Sequence, residues 1–91
     1  MPWLRCPARD RIPATTADQR TVAWLAATLP AGCTPREAAA AAQAWYRERG
    51  GSPVAGVPLG LPAWRRRLRM LWLAGLVEVR GGVYRCERVA E

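Results

Sequence analysis

The sequence predicts a mainly α-helical domain closed by a small antiparallel β-hairpin, three helices followed by two strands. Three observations lead there. First, the apolar residues between positions 61 and 75 recur at helical spacing. At about 100° per residue, Trp64, Leu68, Leu71, Trp72 and Gly75 share one side, Leu61 lies at its margin and Arg66 points nearly the opposite way. Second, residues 76–80 and 83–88 read as strands separated by Gly81 and Gly82, the kind of pair a two-residue primed hairpin turn requires. Third, two threonine-led start signals upstream are each followed by a helical stretch and a Pro or Gly stop.

Taken in order, residues 1–14 are expected to form an extended basic arm and residues 15–91 the domain. Pro2, Pro7 and Pro13 discourage regular structure, Arg5, Arg9 and Arg11 are spaced among them, and Trp3 and Leu4 supply an anchor. The first helix is expected over about 17–29. Thr16 with Gln19 three residues on fits a capping box, in which each side chain satisfies a free backbone N–H. Val22, Leu25, Ala26 and Leu29 form its buried stripe, Trp24 covers the edge, and Pro30 and Gly32 end it.

A second helix is expected over about 35–49. Thr34, Pro35 and Glu37 combine an N-cap hydroxyl, a proline at the first helical position and an acid at the third. The alanines at 38–42 favour helix and allow a close neighbour, Trp45 and Tyr46 add volume, and Gly50 and Gly51 terminate. Residues 50–60, with four glycines and two prolines, are an irregular connection, ordered through Val54, Val57 and Leu59. The third helix is expected over about 62–74, with Pro62 in its first turn.

A two-residue turn pairs Arg80 with Val83, Val79 with Tyr84, Glu78 with Arg85 and Val77 with Cys86. One hairpin face then carries Val77, Val79, Tyr84 and Cys86. The other sets Glu78 against Arg85, a cross-strand pair contributing about 0.2–1 kcal/mol. Residues 89–91 are expected to fray.

Ninety-one residues suffice for one small core. No window approaches the roughly 20 apolar residues of a membrane span, and the prolines and charges of residues 1–13 are unlike a secretory leader, so a cytoplasmic, non-membrane protein is expected. The balance of 14 basic against 7 acidic residues favours polyanionic partners. Every basic residue is arginine, a bias that GC-rich coding alone produces, so placement matters more than number. Cys6, Cys33 and Cys86 are widely spaced with no histidine, which points to reduced thiols, with Cys33 and Cys86 as small apolar fillers rather than metal or redox groups.

The segment Trp64 to Arg85 resembles the winged helix-turn-helix family. Leu68, Leu71, Ala74, Gly75, Leu76 and Val77 lead from a leucine ladder into a glycine-tipped hairpin, as such domains commonly pass from recognition helix to wing. The chain departs from that pattern in its long Gly/Pro connection and in lacking a strand signal between the first two helices. The resemblance implies that the third helix enters the major groove of double-stranded DNA, presenting the side occupied by Pro62, Ala63, Arg66, Arg67 and Met70, with Arg65 and Arg69 along its flank. Arginine grips guanine O6 and N7, or phosphate, with two parallel bonds, so Arg66 and then Arg67 are the base-edge candidates. Arg65 and Arg69 are expected on phosphate and Arg80 on the backbone or minor groove; Arg5, Arg9 and Arg11 either run along the duplex or belong to an arm that drapes over the domain.

Catalysis is not expected. There is no His or Lys, Ser52 is the only serine, and Asp10 and Asp18 are the only aspartates. Glu37 and Glu48 would stand about 16 Å apart along a helix, too far for paired acid–base work. No phosphate-cradling glycine motif or cofactor signature is present. Two readings follow: a DNA-binding regulator or phage or plasmid accessory protein, or an interaction module that docks on an acidic protein such as a polymerase or a nucleic-acid-processing effector complex. An exposed cluster of Trp3, Trp24 and Trp45 would favour the second. No heptad segment is present, so a homodimer would use the first helix, the arm or the hairpin.

Overall fold

A computed structural model describes residues 1–87. Three helices, α1 (Thr16–Thr28), α2 (Pro35–Glu48) and α3 (Leu61–Leu73), precede two strands, β1 (Val77–Arg80) and β2 (Val83–Cys86), and a single turn of 3-10 helix spans Ala8–Asp10. The strands pair antiparallel in the expected register, Val77 with Cys86 through Arg80 with Val83. Gly81 and Gly82 have φ of 54° and 79°. Positive φ at both central residues suits a type I′ turn, whose twist matches that of the strands. Arg88, expected to end the second strand, and the fraying expected for 89–91 lie outside the described residues.

The helix limits follow from their caps. α2 begins as expected, with Thr34 accepting from the Glu37 N–H and Glu37 from the Thr34 N–H. Both α2 and α3 end in a Schellman motif. The Gly50 and Gly51 N–H groups donate to Arg47 and Tyr46, and the Gly75 and Leu76 N–H groups donate to Trp72 and Leu71. α1 starts one residue earlier than expected. Its capping box is Thr15 with Asp18, not Thr16 with Gln19. A carboxylate at the helix start complements the N-terminal dipole better than a neutral amide does.

The inner face of α1 also differs from expectation. Asp18, Thr21, Trp24 and Leu25 are buried, whereas Ala26 is exposed and Val22 and Leu29 are only partly covered. Trp24 is therefore a core residue, not an edge cover. A tryptophan contributes far more apolar area than an alanine, and the helix turns to bury it. Trp24 lies edge-on to Trp45 at 6.2 Å between ring centres and tilted against Trp64 at 5.7 Å. Around this cluster pack Ala38, Ala39 and Ala42 of α2, Leu68 and Leu71 of α3, Val77 and Cys33. The indole N–H groups of Trp24, Trp45 and Trp64 have no acceptor among the described residues, so these rings contribute area rather than hydrogen bonds.

The hairpin is flanked on both edges. Leu4 exchanges two backbone hydrogen bonds with Val79, at 2.8 and 2.9 Å, and Cys33 exchanges two with Tyr84, at 2.7 and 2.8 Å. Leu4, Val79, Tyr84 and Cys33 thus form one rung across four segments. The connection between α1 and α2, which carried no strand signal, contributes a single bridging residue. The N-terminal arm is docked on the domain: Cys6 is buried, the Ile12 N–H donates to the Leu73 carbonyl at 3.0 Å, and Trp3 lies beneath the guanidinium groups of Arg80 and Arg85. Among the described residues no helix is long and apolar enough to cross a membrane.

Candidate nucleic-acid interface

α3 is divided lengthwise by its own periodicity. Trp64, Leu68 and Leu71 are 0 % exposed and face the core, whereas Arg65, Arg66, Arg69 and Met70 are exposed on the remaining surface. Gly60 caps the helix without a side-chain bond, and Pro62 occupies the first turn, so the arginine run begins within one turn of the helix start. Beside it rises the connection between α2 and α3. Together they enclose a groove of about 740 Å³, lined by residues 53–58 on one side and by Ala63, Arg65, Arg66, Arg67, Arg69 and Met70 on the other.

The cations in this groove are not equivalent. Arg65, Arg66 and Arg69 have no hydrogen bond or ion pair to any other described residue. Arg67 is engaged inside the protein: its Nη1 donates to Thr21 Oγ1 at 2.9 Å and to the Gly56 carbonyl at 2.8 Å, and its Nε lies 3.7 Å from Asp18. Thr21 Oγ1 lies 2.7 Å from the Ala17 carbonyl and 3.0 Å from the Gly56 carbonyl, and its single proton is donated to one or shared between them. Asp18 is buried and also closes the α1 capping box, so Arg67 ties the start of α1, the connection and α3 together. Arg67, expected at a base edge, is placed by the structure against Thr21, Gly56 and Asp18, where its guanidinium tethers the groove wall. Helical spacing carried a signal, since Arg67 is three residues after Trp64 and four before Leu71 and so borders the apolar side; its partners, 11 to 49 positions away, were not legible.

The other expected contacts do not join the groove. Arg80 is exposed near the hairpin tip, with its guanidinium 4.5 Å from the centre of the Trp3 ring. Arg5 pairs with Glu87 at 2.7 Å and with Glu78 at 3.5 Å. Arg11 donates from Nε to the Cys6 carbonyl at 3.0 Å, which holds it within the arm. Arg9 is exposed, 3.8 Å from Asp10. Arg5 and Arg11 therefore hold the arm in place, which is the draped arrangement of the two expected.

Glu78 is only 5 % exposed and receives Arg85 as well as Arg5. The Arg85 hydrogen bond holds its carboxyl below the ordinary value; burial opposes this and Arg5 adds to it. The expected cross-strand pair is thus covered by the arm. Burial pushes the Cys33 thiol up to about 11, with Glu37 and Cys86 adding to the effect, and burial raises Cys86 too. Neither is a ready thiolate at neutral pH. Among the described residues no group of three or more His, Cys, Asp or Glu is placed to hold a metal ion.

The wall at residues 53–58 is the part of the site that sequence reasoning missed. Its apolar residues gave a packing signal, and Val54 and Val57 do pack against the core; the contacts of Thr21 and Arg67 with Gly56, which no local pattern shows, tie it to α1 and α3. No protein-family model, curated protein or solved structure matches the chain. The reading of the groove therefore rests on its own geometry and charge.

Proposed function

We propose that this chain is a small, non-enzymatic winged-helix protein that binds double-stranded DNA through α3, as a transcriptional regulator or a phage or plasmid accessory factor does. One observation carries the reading. Arg65, Arg66 and Arg69 have no partner among the described residues and lie on the side of α3 away from the fully buried Trp64, Leu68 and Leu71. An α-helix fits the major groove, and an unpaired guanidinium can bind guanine or phosphate without first breaking an internal bond. Arg66, farthest from the core, is the base-reading residue; Arg65 and Arg69 grip phosphate. The net charge of +7 supplies the long-range attraction.

Docking on an acidic protein is the lesser reading. It called for an exposed tryptophan cluster, whereas Trp24 and Trp64 are buried, Trp3 is partly covered and stacked by Arg80 and Arg85, and Trp45 is partly covered and stacked by Arg49 at 3.7 Å.

Fluorescence anisotropy with labelled duplexes tests the DNA reading. Affinity should fall with salt at a log–log slope of about −0.9 per phosphate neutralised. Arg66→Ala should relax preference among sequences selected from random duplex, and Arg69→Ala should weaken all sequences alike. Absence of duplex binding at low salt overturns the reading, and a pull-down that then returned a protein partner would replace it.

A further inference from the structure

A second concavity lies on the other flank of α3, between its C-terminal half and the inner face of the hairpin. It is a shallow, open hollow of about 310 Å³ lined by Arg69, Trp72, Leu73, Val79 and Tyr84. Small-molecule sites are mostly apolar hollows of about 300–1,000 Å³ with a few placed polar groups, and this one falls at the lower end of that range.

Its walls are braced from outside. Val79 and Tyr84 stand opposite each other in the hairpin. The backbone of Val79 is bonded outward to Leu4 and that of Tyr84 to Cys33, so this is a non-hydrogen-bonded pair, in which side chains stand closest. Trp72 Nε1 donates to the Leu4 carbonyl at 3.1 Å. With that N–H satisfied, Trp72 offers the hollow only apolar ring surface. Leu73 is held by the bond its carbonyl accepts from Ile12 at 3.0 Å. Four of the five lining residues are therefore apolar or aromatic and fixed through the rung or the arm. The fifth, Arg69, is the only charge, and it has no partner among the described residues. The lining contains no acidic side chain.

We propose that this hollow is a binding site for a small aromatic carboxylate. The flat apolar body packs against Trp72, Leu73, Val79 and Tyr84, and the carboxylate takes the guanidinium of Arg69. The lone unpaired arginine selects an anion, because a planar guanidinium matches a carboxylate with two parallel charge-assisted bonds. The volume selects a small molecule, since a protein partner would need roughly 800 Å² of contact on each side.

The test uses the full chain with 1-naphthylacetate as the probe and its neutral amide as the comparison, followed by nitrogen–proton correlation spectra. The expected result is a saturable titration by the acid, with shifts centred on the Trp72 indole N–H and the amides of Leu73, Val79 and Tyr84. The amide should bind about tenfold more weakly or worse, and Arg69→Gln should remove the difference between acid and amide. Because Arg69 is exposed, that variant is expected to keep the wild-type spectrum away from the hollow. The proposal is overturned by the absence of saturable shifts, by shifts centred elsewhere, by equal binding of acid and amide, or by an acid preference that survives in Arg69→Gln. No nucleic acid is present in this experiment, so its outcome is independent of the duplex reading.

Discussion

Neighbouring arginines on α3 do different work, and their partners decide which. Arg67 bonds to Thr21 and Gly56 and neutralises Asp18, so Arg67→Ala leaves a buried carboxylate without its counter-charge and should destabilise the protein by about 2–4 kcal/mol. Arg66→Ala touches no internal partner and should stay within about 0.5 kcal/mol of wild type. Urea melts of the two variants check this contrast; equal stabilities would refute the tether. Glu78 gives a pH signature. Its carboxyl lies below the ordinary value of 4.5 because Arg85 bonds the charged form. Its contribution is therefore complete above about pH 4.5 and is lost as pH falls through the lower folded-state value. Wild type should lose melting temperature more steeply on acidification than Glu78→Gln does, and parallel acid limbs would show that the Arg5–Glu78–Arg85 group adds nothing. Cys33, pushed up to about 11, should react with iodoacetamide far more slowly in the native than in the unfolded protein.

Among the elements, the end of α3 is the most constrained point. Gly75 has φ +75°, and a Cβ there would come within 2.7 Å of Arg11 Nε, the atom that donates to Cys6. Gly75→Ala therefore combines left-handed strain with the loss of the bond that holds the arm, and should cost about 2 kcal/mol or more. Gly82→Ala meets nothing within 4 Å and should show the conformational strain alone. Thermal melts of the pair separate the two effects. The helices, the α2 capping box and the hairpin register were legible, because each depends on residues within a few positions of one another. The rotation of α1 was not, since Trp24 turns inward only because Trp45 and Trp64 arrive from other helices.

For the whole molecule, the relevant quantity is how many cations face the same way. Arg65, Arg66 and Arg69 line one groove, while Arg5, Arg11 and Arg67 are held by internal partners. Replacing both Arg65 and Arg69 by alanine should reduce the salt slope of duplex binding by about 1.8, at about 0.9 per phosphate contact. Replacing Arg5 should leave that slope unchanged while lowering stability. A uniform effect of all arginines would instead mean that net charge alone governs binding. The N-terminal arm belongs to this scale too. Its composition left open a basic arm on nucleic acid or one draped over the domain, and Cys6, Ile12 and the Leu4–Val79 bridge make it part of the packing.

By itself, the sequence determined the order of the elements, their limits to within a residue or two, the hairpin register and the apolar side of α3, because these follow from periodicity, capping and turn chemistry within short spans. Only the tertiary structure decided which arginines remain available. That outcome depends on where distant acids, carbonyls and aromatic rings come to rest: Asp18 and Gly56 beside Arg67, Glu78 and Glu87 beside Arg5, and Trp3 beneath Arg80 and Arg85. A charge run looks uniform along the chain because linear spacing carries no information about those partners, and they are what set the availability of a charge.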